Sequence, residues 1–281
     1  MKLVVDTNCL QTEELRYFLQ KSTGNVAVLT DFAAMEAYKG DTLASIYKSM
    51  QVVSAFPRQV LVLKGSAKVF RLNGKVRGLQ RRLVDETQTR GFPNYVRTLV
   101  LGRDGNYAVQ KQLLAHGRAA QAHFDKMLLD AETMKPVFDK LAKLYTREER
   151  AIIRDGRPYT SEMIGKLGKT LIEISGLIIN DSPLVLRTPT YKELSNTFMF
   201  RVALSSYLMA IRRGALGGSS EARSDYVRND LVDMIFVAYG TYFDGVLSND
   251  HNVKRIYEET CLMLSALFDA EVPSLSWIHR Q

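Results

Sequence analysis

Apolar residues open the chain in short unbroken runs and then settle into helical spacing. Lys2–Val5 is short, apolar and β-branched, and it stops at Asp6, Thr7 and Asn8. Continuous apolar character over so few residues marks a strand covered on both faces, so it predicts a parallel core strand ending in a polar loop. Thr12 can cap a following helix that carries Leu15, Phe18 and Leu19 on one face. Gly24-Asn25 breaks that helix, and Val26–Leu29 is a second apolar run. Thr30 or Asp31 then caps a helix reaching about Tyr38. A further helix fits Thr42–Ala55, Pro57 ends it, and Val60–Leu63 reads as a third strand. The order βαβααβ needs crossover connections, hence a parallel sheet covered by helices.

Beyond Leu63 the period changes. No strand of the same kind is legible between Lys64 and Arg228, whereas Val109–Lys135, Ser161–Ile179 and Tyr191–Arg213 carry helical periodicity. Arg90–Asn106 and Arg154–Pro158 are rich in breakers and charge, and Gly214–Ser220 is the clearest flexible segment. Helical spacing returns over Asp225–Tyr242, a fourth strand fits Asp244–Ser248, and a last helix fits His251–Phe268. The expected fold class is therefore α/β, with a central parallel sheet of about four strands and a mainly α-helical insertion. Residues 1–63 and 225–281 would form one discontinuous α/β domain, and residues 64–224 the insertion.

Composition narrows the partners. The chain has 281 residues and a formal net charge of +8, an excess that favours a polyanion such as nucleic acid. Its two cysteines, Cys9 and Cys261, have no metal-ligand spacing and suggest no disulfide framework, so a reducing cytoplasm is the expected location. The four histidines form no zinc pattern. Neither a signal peptide nor a membrane-length apolar run is visible, so no membrane partner is expected. A Gly-x-x-x-x-Gly-Lys-Ser/Thr phosphate loop is absent, which argues against nucleotide hydrolysis.

The candidate chemistry lies in acids at related places. Asp6 follows strand one, Glu36 lies in the helix after strand two, and Asp250 follows strand four. The carboxyl ends of parallel strands line one crevice, so acids placed there converge although they are far apart in sequence. Asp230 and Asp233 share a helix face that leads into strand four. Convergent carboxylates persist together when a cation or proton neutralises them, and hard oxygen donors select Mg²⁺ or Mn²⁺. Each acid also has a plainer role. Asp6 could cap a turn, Glu36 could be solvated, and Asp31 could be an N-cap. Asp230 and Asp233 could be an exposed pair, Asp244 could start a strand, and Asp250 could cap the last helix.

These residues resemble a known family. VVDTN at Val4–Asn8 is similar to the opening motif of PIN-domain nucleases, and Leu29–Lys39 to their second motif, where a helix bears an inward Glu. Asn229–Asp250 resembles their third and fourth motifs together, with Ser248-Asn249-Asp250 in the last place. The resemblance covers roughly Met1–Leu63 and Asp225–Phe268. It implies an α/β/α sandwich, Mg²⁺ or Mn²⁺ dependence and phosphodiester hydrolysis, usually of RNA. By position it makes Asp6, Glu36, Asp233 and Asp250 metal ligands or water-orienting groups. Asp230 competes with Asp233 for the third place, and Asp244 is a candidate outer ligand. Thr7, Asn8, Ser248 and Asn249 would orient ligands or face substrate. Family habit also suggests a toxin or defence effector held by a protein inhibitor or activator.

Compact members of that family carry no helical block of this size. Its basic residues, Lys64, Lys68 and Arg71 first among them, could clamp a nucleic-acid backbone or could be solvated helix faces. The apolar stripe of Phe198–Ile211 fits internal packing, a second copy of the chain or an inhibitory partner. The expectations are a metal-dependent ribonuclease first, a flap-cleaving type of DNA nuclease second, and a non-catalytic nucleic-acid-binding or assembly module third.

Overall fold

The computed structural model describes residues 1–181, 185, 187–217 and 224–273. Its sheet consists of β1 (Lys2–Val5), β2 (Val26–Leu29), β3 (Val60–Val62) and β4 (Gly245–Leu247). The strands are all parallel and lie in the order β3-β2-β1-β4. Register is set by Leu3 against Ala27 on one side and against Gly245 on the other. Successive strand residues point to opposite faces, yet Leu3, Val4 and Val5 are all buried, as are Ala27, Val28, Val246 and Leu247. Both faces of the sheet are therefore covered, which is the layering expected of an α/β/α arrangement.

Short helices make the first crossovers. These are α1 (Glu13–Lys21), α2 (Asp31–Glu36), α3 (Thr42–Ser49) and α4 (Gln51–Ala55). The hydroxyl of Thr12 accepts from the Leu15 amide and caps α1; that of Thr30 accepts from the Ala33 amide and caps α2. Asp31 is thus not the cap of its own helix. Its carboxylate accepts from the Ser66 amide at 2.6 Å and fixes the start of α5 (Ser66–Phe70). The single helix expected over Thr42–Ala55 is two helices meeting at Met50.

Between β3 and β4 the chain runs through α6 (Gln80–Leu83), α7 (Glu86–Arg103), α8 (Tyr107–Lys143), α9 (Arg147–Asp155) and α10 (Ser161–Asp181). It continues through α11 (Tyr191–Leu194), α12 (Phe198–Ala215) and α13 (Ser224–Gly240), and α14 (His251–Phe268) follows β4. Arg90–Asn106, rich in breakers, is mostly helix: α7 passes through Gly91 and Pro93. An interior proline loses one backbone hydrogen bond, roughly a 3 kcal/mol penalty. Burial of Phe92 and Leu99 and the Asp85 cap on the Gln88 amide act against it. The helix expected over Tyr191–Arg213 breaks at Ser195–Thr197, where the Thr197 hydroxyl accepts from the Phe200 amide and starts α12 afresh. Gly214 and Ala215 of the expected flexible segment complete α12, and Gly218–Ser220 lie outside the described residues.

The helical stretch packs into the sheet unit. Helices α8 and α12 contact α13, and α13 contacts β1 and β4. One buried hydrophobic cluster runs from Leu3 through Leu141 and Leu208 to Leu264. Phe200, Leu204, Leu208 and Ile211 are fully buried in it, so the apolar stripe of α12 serves internal packing and offers no surface to a second copy. No helix among the described residues is long and apolar enough to cross a membrane.

Candidate active site

In the order β3-β2-β1-β4, the chain leaves β1 toward β2 on one side and returns as β4 on the other. This is a topological switch point, and the crevice there lies beyond the carboxyl ends of β1 and β4. Asp6 follows β1 directly and is almost wholly buried. Its amide donates to the Leu247 carbonyl at 3.0 Å, and its carbonyl starts a single 3-10 turn, Thr7–Cys9.

Ser248, just past β4, joins the two strand ends. Its hydroxyl donates to Asp6 Oδ2 at 2.6 Å and accepts from the Asp250 amide at 3.1 Å. Asp250 also accepts from the Asn252 amide at 2.6 Å, so it caps α14 as well as bordering the crevice. Glu36 enters from the end of α2, held by the Thr7 hydroxyl at 2.5 Å. Asp233 enters from α13.

Asp6, Glu36, Asp233 and Asp250 line one cleft of about 440 Å³, together with Thr7 and Asn8. The structure thus brings together four of the five expected acids. Asp230 is the exception: it pairs with Arg213 and stands outside the lining, which leaves Asp233 as the α13 acid of the cleft. Asp244 is far from it. Its carboxylate accepts from the Lys2 amide at 2.7 Å, at the opposite, amino end of the sheet, so an outer-ligand role is ruled out by position. Ser248 lies behind Asp6 and Asp250, and exposed Asn249 is not part of the lining.

The basic residues singled out in the sequence are elsewhere. Lys64 Nζ donates to the Arg82 carbonyl at 2.8 Å and braces the turn after β3. Lys68 is exposed on α5, and Arg71 borders a separate small crevice with Gly74 and Arg187. None of the three lines the acidic cleft. The cation that does is Lys39, joined by Gln11, Ser45, Ser49 and Asn229, none of which sequence reading singled out. Two of them left a signal: Lys39 lies three residues past Glu36, and Asn229 four before Asp233.

Electrostatics follow from this crowding. Burial raises the pKa of Asp6, and the Ser248 hydroxyl and the Asn8 and Thr7 amides oppose it in part. Burial also raises Glu36, against the Thr7 hydrogen bond and Lys39. Asp233 is pushed up to about 8, first by burial and then by the charges of Asp6, Asp250, Asp230 and Glu36. Burial raises Asp230 too, with Arg213 opposing. The donors are all oxygen, the set that hard divalent cations take. Asp6 and Glu36 each have an oxygen engaged by a hydroxyl, and among the described residues no three His, Cys, Asp or Glu side chains stand close enough together to hold an ion as placed.

Fold and site together define a parallel α/β protein with a four-carboxylate cleft at its topological switch point. No family model, no curated protein and no solved structure matches the chain.

Proposed function

We propose that the chain is a metal-dependent nuclease of the PIN-like type, hydrolysing phosphodiester bonds, with RNA ahead of DNA as substrate. The observation that carries this reading is the convergence of Asp6, Glu36, Asp233 and Asp250 from four distant segments into one crevice. Burial first, and then repulsion from Asp6, Asp250, Asp230 and Glu36, hold the Asp233 proton to about pH 8, and a cation in the cleft would relieve that repulsion. The donor chemistry fits Mg²⁺ or Mn²⁺, and these four acids would hold it. Such an ion supplies an acidified water and offsets charge developing on the phosphodiester.

The chain's own residues have separable tasks in this reading. Ser248 fixes the rotamer of Asp6, and Thr7 fixes Glu36. Lys39, at the rim, binds a phosphate oxygen. Asp233 keeps its proton to about pH 8 in the metal-free cleft and would release it on helping to hold the ion, so uptake of the ion would be coupled to proton release. Toxin or defence roles and a controlling protein partner remain suggestions of the family resemblance.

The test is cleavage of labelled single-stranded RNA and DNA with Mn²⁺ or Mg²⁺ by wild type, Asp6→Asn and Asp250→Asn. Both substitutions keep shape, and Asn still caps a helix. The expected outcome is metal-dependent cutting, RNA preferred, abolished in both variants. Cutting that survives them would place the activity elsewhere or in a contaminant. Retained affinity for nucleic acid without any cutting would favour a binding module.

A further inference from the structure

A second concavity, of about 770 Å³, lies at the carboxyl ends of β2 and β3 between α2, α7 and α8. Helix α2 divides it from the acidic cleft: Glu36 lines the cleft, whereas Asp31 and Ala34 line the chamber. Its walls are largely apolar and aromatic, with Tyr38, Phe92 and Tyr95 on one side and His116 and His123 on α8. Its volume is in the range of pockets that enclose a small organic molecule, and such pockets carry few, well-placed polar groups. Here the Tyr38 and Tyr95 hydroxyls lie 3.1 Å apart. That contact uses one of their two phenolic protons and leaves the other for a guest.

The chamber shares walls with a charged neighbour. Met35, Tyr38 and Ala120 also line an adjoining hollow of about 210 Å³, whose other walls include Lys39, Arg118 and Gln121. Lys39 in turn borders the acidic cleft. An aromatic chamber therefore lies beside two cations. The chamber selects a flat, mostly apolar ring system, and the cations select an anion attached to it.

We propose that this chamber binds a nucleotide unit, with its base among the aromatic side chains and its phosphate at Lys39 and Arg118. Base stacking on aromatic rings and phosphate capture by basic side chains are the two parts of such recognition. The unit is either a free nucleotide or one residue of a strand. Binding here does not depend on the hydrolytic reading of the carboxylates, because none of the four acids of the cleft lines the chamber.

Gly91 offers a test. It lines the chamber from α7, and a Cβ built there meets nothing within 4 Å. Gly91→Leu therefore projects a side chain into the guest's space while replacing a glycine inside a helix, a change that favours folding. The experiment is calorimetric titration of the full chain, in excess chelator, with adenosine monophosphate, adenosine and inorganic phosphate as separate probes. Adenosine monophosphate is expected to bind saturably and adenosine more weakly. Gly91→Leu should weaken both by about tenfold or more with its melting temperature unchanged or raised, and Arg118→Ala should weaken only the monophosphate, by roughly tenfold. Absence of saturable binding by both nucleoside probes, or binding untouched by Gly91→Leu, overturns the proposal. Displacement of the monophosphate by a short single-stranded oligonucleotide assigns the chamber to a residue of a strand, and failure to displace assigns it to a free nucleotide. The cleavage assay runs on separate samples with metal, so loss of one result does not entail loss of the other.

Discussion

Burial, with the charges of Asp6, Asp250, Asp230 and Glu36 adding to it, raises the pKa of Asp233 to about 8 from an ordinary 3.8. A folded-state pKa above the unfolded one means that the folded protein holds the proton more tightly. The associated stability is fully present below about pH 4 and is lost as pH rises through about 8. Without divalent cation, the melting temperature should therefore fall between about pH 5 and about pH 9, and Asp233→Asn should flatten that fall. Mg²⁺ should raise the wild-type melting temperature more at the alkaline end, where the carboxylates repel most. An unchanged slope in Asp233→Asn, read by calorimetry across pH, would place the titrating group elsewhere. At this scale the sequence was informative where a strand end fixes a side chain: Asp6 and Asp250 had to lie at one edge of a parallel sheet. It was silent where the partner decides. Asp230 and Asp233 share a helix face, and only Arg213, arriving from α12, separates their roles. Lys64 and Arg71 look like any phosphate-binding cations until their backbone and crevice neighbours are known.

Among the elements, α8 shows how the helical stretch is held to the rest. Gly117 of α8 lies against the Thr42 side chain at the start of α3, and a Cβ there would come within 2.5 Å of the Thr42 hydroxyl oxygen. Toward the other end, Ala142 of α8 packs on Gly214 of α12, with no room for a further carbon. Small residues at both ends let α8 lie close to its neighbours. Gly117→Ala should therefore destabilise the fold by about 1–3 kcal/mol despite its better helix propensity, measured as a lower denaturant midpoint. A neutral result would mean that α3 and α8 part without penalty. The strands and the capped helices α1 and α2 were legible because their signals are local, namely β-branched runs and Thr at the N-cap. Helix α7 was not, because Gly91 and Pro93 oppose it locally and its cause is tertiary: Phe92 and Leu99 are buried against the core.

Across the whole molecule, one buried cation ties distant segments together. Arg201 is fully buried and donates to the Ser195 carbonyl, to the carbonyl and hydroxyl of Thr241, to Asn196 Oδ1 and to the Glu271 carbonyl. Its guanidinium also lies 3.8 Å from the centroid of the Tyr242 ring. Arg201→Met would match the stem but leave those acceptors unpaired in the interior, a loss of about 3–5 kcal/mol. Equilibrium unfolding should show it, and a loss under about 1 kcal/mol would mean that water reaches these groups. Nothing in the sequence separates Arg201 from the other arginines, because its acceptors come from the break before α12, from the end of α13 and from beyond α14.

The serine bridge between the strand ends bears on when the cleft can exist. Ser248 and Asp6 are 242 residues apart in the chain. During synthesis Asp6 emerges early, whereas Asp233, Ser248 and Asp250 emerge only after the whole helical stretch has been made. Contacts of such separation close late in folding. A polypeptide grown to a point before residue 233 thus carries only Asp6 and Glu36, half of the carboxylate set. An order of assembly written into strand topology delays completion of the cleft until α13 and β4 have been made.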